Sequence, residues 1–170
     1  MTETRTRIEL HIQRNPGIHF NELVRSIEFA PGQSQYHIRR LLDEEDIVEE
    51  QLYGRTHYYS PSFDPWERRL LALFRRETSR DIIGYLLEQD TASPQTVAND
   101  LGIARSTLEW HLDRLVEQDI VVKERDRRNR VTLVVKQPDR TRILLSEISP
   151  SIPDRFVDRF TRLVDNLLSE

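Results

Sequence analysis

Ile8 and Ile12, then Leu23, Val24 and Ile27, stand at the three-to-four-residue spacing of amphipathic helices. They predict one helix over residues 4–14 and a second over 21–29, with Asn15-Pro16-Gly17 as the break. Pro31-Gly32 predicts a turn, and a third helix follows over 33–45. Residues 47–52 and 55–60 then read as a hairpin around Tyr53-Gly54. The second half repeats this plan. Thr78-x-x-Asp81 resembles a capping box, opening a helix with Ile82, Ile83, Leu86 and Leu87 on one face. Ser93-Pro94 supplies an N-cap and a first-turn proline for a helix to Leu101, which buries Val97 and Leu101. Gly102 suits the left-handed residue that ends it. Ile103-Ala104-Arg105 turns into a third helix reaching Gln118, and 120–125 and 130–135 read as strands joined by Asp126-Arg127-Arg128-Asn129.

The two halves match residue by residue. Tyr36-His37-Ile38-Arg39-Arg40-Leu41-Leu42 corresponds to Trp110-His111-Leu112-Asp113-Arg114-Leu115-Val116 at an offset of 74. Asp46-Ile47-Val48 corresponds to Asp119-Ile120-Val121 at an offset of 73, so one residue is inserted or lost between the blocks. Asp64-Pro65-Trp66-Glu67 is a further helix start, and a linking helix is expected over 65–76. Its Leu70, Leu71, Leu73 and Phe74 should pack between the domains, while Arg68, Arg69, Arg75 and Arg76 either rim a nucleic-acid surface or are solvated. Two more helices follow, over 140–148 and after Pro153. The last has Phe156, Phe160, Leu163, Val164, Leu167 and Leu168 at helical spacing. The expected architecture is mainly α with small β-hairpin wings (α+β). Residues 1–61 form a first domain, 62–77 a linker helix, 78–137 a second domain and 138–170 C-terminal helices.

Three helices with a tight turn before the third, then a hairpin, resemble the winged helix-turn-helix. The stretch Pro94 to Leu115, with Leu101-Gly102-Ile103, Ser106-Thr107-Leu108 and His111-Leu112, resembles the DNA-reading unit of ArsR/MarR-type regulators. The whole chain resembles the tandem winged-helix regulators of halophilic archaea. That resemblance implies sequence-specific binding of double-stranded DNA and control of transcription. Winged helices also dock proteins, so a protein-interaction module is the alternative, and the third helix must decide between them.

At about 100° per residue, Leu108, Leu112, Leu115 and Val116 share one side of that helix. Trp110 falls almost opposite, flanked by Ser106, Thr107 and Arg114. In a winged helix this face enters the major groove. Arg105 and Arg114 suit guanine or phosphate, Ser106 and Thr107 phosphate or a base edge, and Trp110 a thymine methyl or sugar. Trp110 packing on this protein or on a second subunit is the alternative. Arg105 is expected in the turn before the helix, since a helical Arg105 would point toward the core. Glu109 and Asp113 count against phosphate unless one accepts from cytosine. His111 and His37, at matching places, are expected to make a structural hydrogen bond, with phosphate contact as the alternative. In the first copy Gln33, Gln35, Tyr36 and Arg40 are the candidate DNA contacts, since glutamine can read adenine, with Arg55 at the wing tip.

Charge separates the copies. The net charge is −4, with 23 arginines and only two lysines, a bias that suits phosphate but also fits genome composition and a halophilic source. Residues 1–61 carry −3, residues 62–137 are neutral and residues 138–170 carry −1. Between Lys123 and Arg130 there are five basic and two acidic side chains, so Arg125, Arg127, Arg128 and Arg130 form a wing tip suited to a phosphate backbone or minor groove. The second domain is therefore expected to dominate DNA affinity, with the first adding weaker contacts or docking a partner.

The absence of cysteine excludes disulfides, thiolate metal sites and thiol redox sensing. No metal or cofactor is expected. With five glycines and no phosphate-cradling loop, nucleophile elbow or metal-ligand spacing, an enzyme is not expected. No apolar run suits a membrane span and no signal-peptide core appears, so a cytoplasmic protein is expected. Phe156, Phe160, Leu163 and Leu167 are expected to pair across a two-fold axis in a homodimer, with packing on the second domain as the alternative. The effector, if there is one, is not legible in the sequence.

Overall fold

A computed structural model describes residues 3–148, which divide between two compact units with the boundary between Ala72 and Leu73. The expected last helix, with Phe156, Phe160, Leu163 and Leu167, lies outside the described residues.

The first unit runs α1 (Glu3–Arg14), β1 (Ile18–His19), α2 (Phe20–Ile27), α3 (Pro31–Asp43), β2 (Val48–Leu52) and β3 (Arg55–Tyr59), followed by α4 (Pro65–Phe74), which crosses the boundary. Ile8, Ile12, Ile18, Leu23, Ile27, Ile38, Leu41, Ile47 and Tyr58 form its core. The sheet is antiparallel in the order β1-β3-β2. Its hairpin closes through Tyr53 (φ 47°) and Gly54 (φ 81°), both left-handed as a tight two-residue turn requires. The second unit contains α5 (Glu77–Gln89), α6 (Pro94–Leu101), α7 (Arg105–Glu117), β4 (Val121–Arg125), β5 (Val131–Val135) and α8 (Pro138–Ile148). Leu70, Leu71, Leu73 and Phe74 of α4 are all buried. Among the described residues no helix is long and apolar enough to cross a membrane.

The repeat is visible in the backbone. α2 and α6, and α3 and α7, are related by the offset of 74 over their full lengths. Each third helix has an extended alanine as N-cap, Ala30 or Ala104, with no side-chain cap bond. Each ends on a left-handed acid, Glu45 or Asp119, both at φ 60°. The offset changes after that residue, so the additional residue of the first copy is Asp46. It is accommodated because the Leu41 carbonyl accepts from both Asp46 N (2.9 Å) and Ile47 N (3.4 Å), whereas Leu115 O accepts from Ile120 N (2.9 Å).

Several boundaries differ from expectation for physical reasons. Pro31-Gly32 is no turn: Pro31 opens α3, where its missing N–H removes only a donor that would lack an intrahelical partner. The expected capping box at Thr78 does not form, because α5 begins at Glu77 behind Arg76 and Ser79 is buried. The one at Asp64 does: Glu67 N donates to Asp64 Oδ1 (2.9 Å) and Asp64 N to Glu67 Oε1 (3.0 Å). Leu101 is only half-buried. The short strand β1 was not anticipated. Its counterpart in the second unit is a single bridge between Ala92 and Leu133. Two residues offer too little pattern to register as a strand.

Gly17 is required where it stands. It has φ +87°, and a Cβ there would lie 3.2 Å from the Leu71 carbonyl carbon and 3.3 Å from its oxygen. Glu28 is the reverse case, because it ends α2 at φ 57° where the second copy uses Gly102 at φ 67°. Gly17→Ala is expected to destabilise the first unit by about 1–3 kcal/mol. Glu28→Gly should be neutral or stabilise it by up to about 1 kcal/mol, because a left-handed L-residue is strained. Urea denaturation of the two variants should show midpoint shifts in these opposite senses.

Candidate nucleic-acid interface

The face of α7 is set by what it buries. Leu108, Leu112 and Leu115 are fully buried, on the side of the helix that meets α5, α6 and β4. Trp110, on the far side, remains 53% exposed. The Arg114 guanidinium lies 3.7 Å from the Trp110 ring centroid, a stacked cation–π contact. The His111 ring meets Trp110 edge-on at 4.7 Å, and Ser79 Oγ lies 3.4 Å from His111 Nδ1. Trp110 is thus an outward-facing aromatic with an arginine stacked on its ring and a histidine against it edge-on. The expected hydrogen bond at His111 is present. At His37 it is not, for that residue is buried and its Nδ1 has no partner among the described residues.

Ser106 and Thr107 are exposed in the first turn of α7. Arg105 corrects the expectation that it precedes the helix, since it is the first residue of α7 behind Ala104. Its side chain is not drawn into the core. It runs along the surface to Glu109 Oε1 (Nε, 3.1 Å) and across to Gln95 Oε1 of α6 (3.4 Å). An angular projection cannot anticipate this, because a long side chain in the first turn has neighbouring surface to lie along.

Glu109, which the sequence presented as a liability, joins α7 to the β4–β5 hairpin. Its other oxygen accepts from Lys123 Nζ of β4 at 2.9 Å. The Lys123 hydrogen bond, more than the one from Arg105, holds its carboxyl below the usual carboxylate range, against the opposing effect of partial burial. Its charge is therefore already matched by two cations. Nothing in the sequence pattern singles out this pair, which is 14 residues apart.

The wing tip is built by Asp126 and Asn129. Asp126 Oδ1 accepts from the backbone N–H groups of Arg128 (2.8 Å) and Arg130 (2.9 Å), and Oδ2 from Arg130 Nε (2.7 Å). These bonds, that of the Arg130 backbone foremost, lower the Asp126 pKa. Asn129 takes the left-handed position (φ 62°), and Arg125 donates to its Oδ1 at 3.2 Å. So Arg125 and Arg130 have local partners. Arg127 and Arg128 are exposed, and their guanidiniums have none among the described residues.

The first unit differs. Gln33, Gln35, Arg40 and Arg55 are exposed and Tyr36 is 60% exposed. Arg40, however, pairs with Glu44 (3.3 Å), which also binds Arg5 (3.2 Å). Gln35 and Arg55 line a cleft between α3 and the hairpin. Arg68 of α4 is not merely solvated, since it pairs with Glu50 of β2 at 3.0 Å, with Arg69 at 3.8 Å from the same carboxylate. Among the described residues there is no group of side chains arranged to hold a metal ion.

Two domain families match the chain. One, described as an N-terminal HTH domain, covers residues 2–71, and the other, a helix-turn-helix domain, covers residues 76–124. Among curated proteins, the chain is 28% identical over 138 residues to an uncharacterized HTH-type transcriptional regulator of Methanocaldococcus jannaschii. The match covers 81% of this chain and 34% of that protein, so the chain spans about a third of the relative's length. Among solved structures, the crystal structure of the overoxidized AbfR bound to DNA is similar at 17% identity. It covers 81% of this chain and 90% of that one, with a TM-score of 0.43, too loose a likeness to carry over any property.

Burial, then the Arg114 and Arg76 charges, lower the His111 pKa from 6.5. A histidine depressed in the folded state contributes stability that is complete above the unfolded pKa and falls as pH drops toward the folded one. Stability of the second unit is therefore expected to decline below about pH 6.5, and His111→Gln should remove part of that slope. Thermal unfolding across pH 5–8 checks this; an identical slope in the variant would assign the decline to other groups.

Proposed function

We propose that this chain, which carries two helix-turn-helix domains in tandem, is a sequence-specific DNA-binding regulator of transcription whose second domain supplies most of the affinity. One observation carries the reading: on one unit, an outward helix face with Ser106, Thr107, Trp110 and Arg114 is clamped through Glu109 and Lys123 to a hairpin ending in Arg127 and Arg128. A helix offering hydroxyls, an arginine and an exposed aromatic suits the major groove. Two guanidiniums without a partner among the described residues, on an ordered tip, suit the phosphates beside it, where they contribute salt-dependent, sequence-independent affinity. The Glu109–Lys123 link fixes the spacing between the two, so base and backbone contacts are made in one register. Asp113, exposed on α7, is matched to a cytosine amino group.

In the first unit Gln33 and Tyr36 offer a weaker version of the same face. A second reading for that unit alone, docking of a protein partner, is favoured by exposed Tyr36 beside an Arg40 already paired with Glu44. The C-terminal periodicity of Phe156, Phe160, Leu163 and Leu167 supports a two-fold dimer, which would place two second domains on a palindromic site.

The test is selection of bound fragments from random DNA at two salt concentrations, followed by affinity measurements on the consensus. Arg127→Ala with Arg128→Ala should weaken all sequences alike and reduce the salt slope by about two. Trp110→Ala or Arg114→Ala should cost about 1–3 kcal/mol on the consensus and much less on random DNA. Binding that is indifferent to salt and to all four substitutions would assign this surface to a protein partner instead.

A further inference from the structure

The first unit contains a cleft of about 460 Å³ between the start of α2, one side of α3 and the hairpin. Its size is that of a small-molecule site. Phe20, Ile38, Leu42 and Tyr58 belong to or pack on the hydrophobic core, so the apolar part of the lining is held by the fold itself. The polar part is different. Arg39 and Arg55 come from two elements, α3 and β3, and among the described residues neither guanidinium has a hydrogen-bond or ion-pair partner. Arg5, Arg40, Arg68 and Arg69 of the same unit are paired with carboxylates, so their charges are already matched. Glu49 of β2 contributes one carboxylate to the same lining.

From this arrangement we infer that the cleft binds a small organic acid carrying an amino or hydroxyl donor beside its carboxylate and a short apolar body. Arg39 and Arg55 take the carboxylate, since two guanidiniums from different elements offer paired N–H donors to it. Glu49 takes the adjacent ammonium or hydroxyl. Phe20, Ile38 and Leu42 take the body. Tyr58 is pushed up to about 12 by burial and then by the Glu49 charge, so its phenol keeps its proton and remains a donor throughout the physiological range. The site faces the hairpin and third helix of a helix-turn-helix domain, so occupancy would act directly on that domain's outer surface.

The experiment is thermal unfolding of the full chain with millimolar panels of α-amino acids and of α-hydroxy acids. Inorganic phosphate and simple monocarboxylates lacking the donor serve as further arms. A ligand that binds only the folded state raises the midpoint in a saturable way. The expected result is such a rise with at least one donor-bearing acid, larger than with phosphate or the simple carboxylates. Which panel is active identifies the donor. Calorimetric titration of that acid should weaken by more than about tenfold in Arg39→Gln and in Arg55→Gln, with Glu49→Gln acting selectively against donor-bearing acids. Circular dichroism of each variant controls for folding, and Thr6→Ala, outside the cleft, should bind as the parent does. A saturable rise with phosphate alone would make the cleft a phosphate contact and overturn the inference. So would the absence of any rise, or one unmoved by the arginine substitutions.

Discussion

Everything the second unit presents outward depends on α7 being held from one side. Leu108, Leu112 and Leu115 are fully buried, and truncating a leucine in such a place typically costs about 2–5 kcal/mol. That one-sided burial fixes the rotation of the helix about its axis. The opposite face then follows without further instruction: Trp110 must point outward, and Arg114, one turn on, can lie on its ring. The polar contacts are a second layer. Glu109 sits between the buried and exposed faces, where a carboxylate reaches both Arg105 in the first turn and Lys123 on the neighbouring strand. Exposed ion pairs of this kind add little stability. Their importance here is geometric, for they set the wing relative to the helix.

The two copies separate what the fold needs from what the surface does. Both retain an extended alanine before the third helix, a left-handed acid after it, and an aromatic–histidine pair in edge-to-face contact. Those features belong to the backbone path and recur regardless of outer chemistry. Beyond them the copies part. The first wing closes in two residues, whereas the second extends over a tip organised by Asp126. The outer arginine of α3 is matched by Glu44 at that helix's C-cap, and that of α7 is stacked on tryptophan. A shared scaffold thus carries two different surfaces.

The described helices, both hairpins and the repeat were legible because each rests on apolar spacing, which burial enforces over many residues. Legibility failed where one or two residues decide. Thr78 looks like a cap, but the chain enters α5 one residue earlier and buries Ser79 instead. Pro31 looks like a breaker, yet a proline is also tolerated in a first turn. At the site, the outward residues of α7 followed from the wheel, while the partners of Glu109 and the scaffold of Asp126 did not. Contacts between α7 and β4, or around a turn, depend on three-dimensional closure that spacing does not encode. The cleft between α3 and the hairpin was hidden for the same reason: Gln35 and Arg55 read as outer residues until the sheet places them beside Arg39 and Glu49.

The formal charge of −4 argues against nucleic acid only if charges are counted singly. Phosphates respond to the local field, which salt screens beyond about 8–10 Å. At the second wing Glu109 is matched by Lys123 and Arg105, and Asp126 by Arg130. These pairs contribute little net field. Arg127 and Arg128 remain at the tip with no opposing carboxylate of their own among the described residues. Asp126 in turn binds the backbone N–H groups of Arg128 and Arg130, so the acid among these arginines orders the turn that carries them. Acidic residues here therefore hold the cations in place. A more basic sequence lacking Asp126 and Glu109 would carry more positive charge but present it on a less ordered surface.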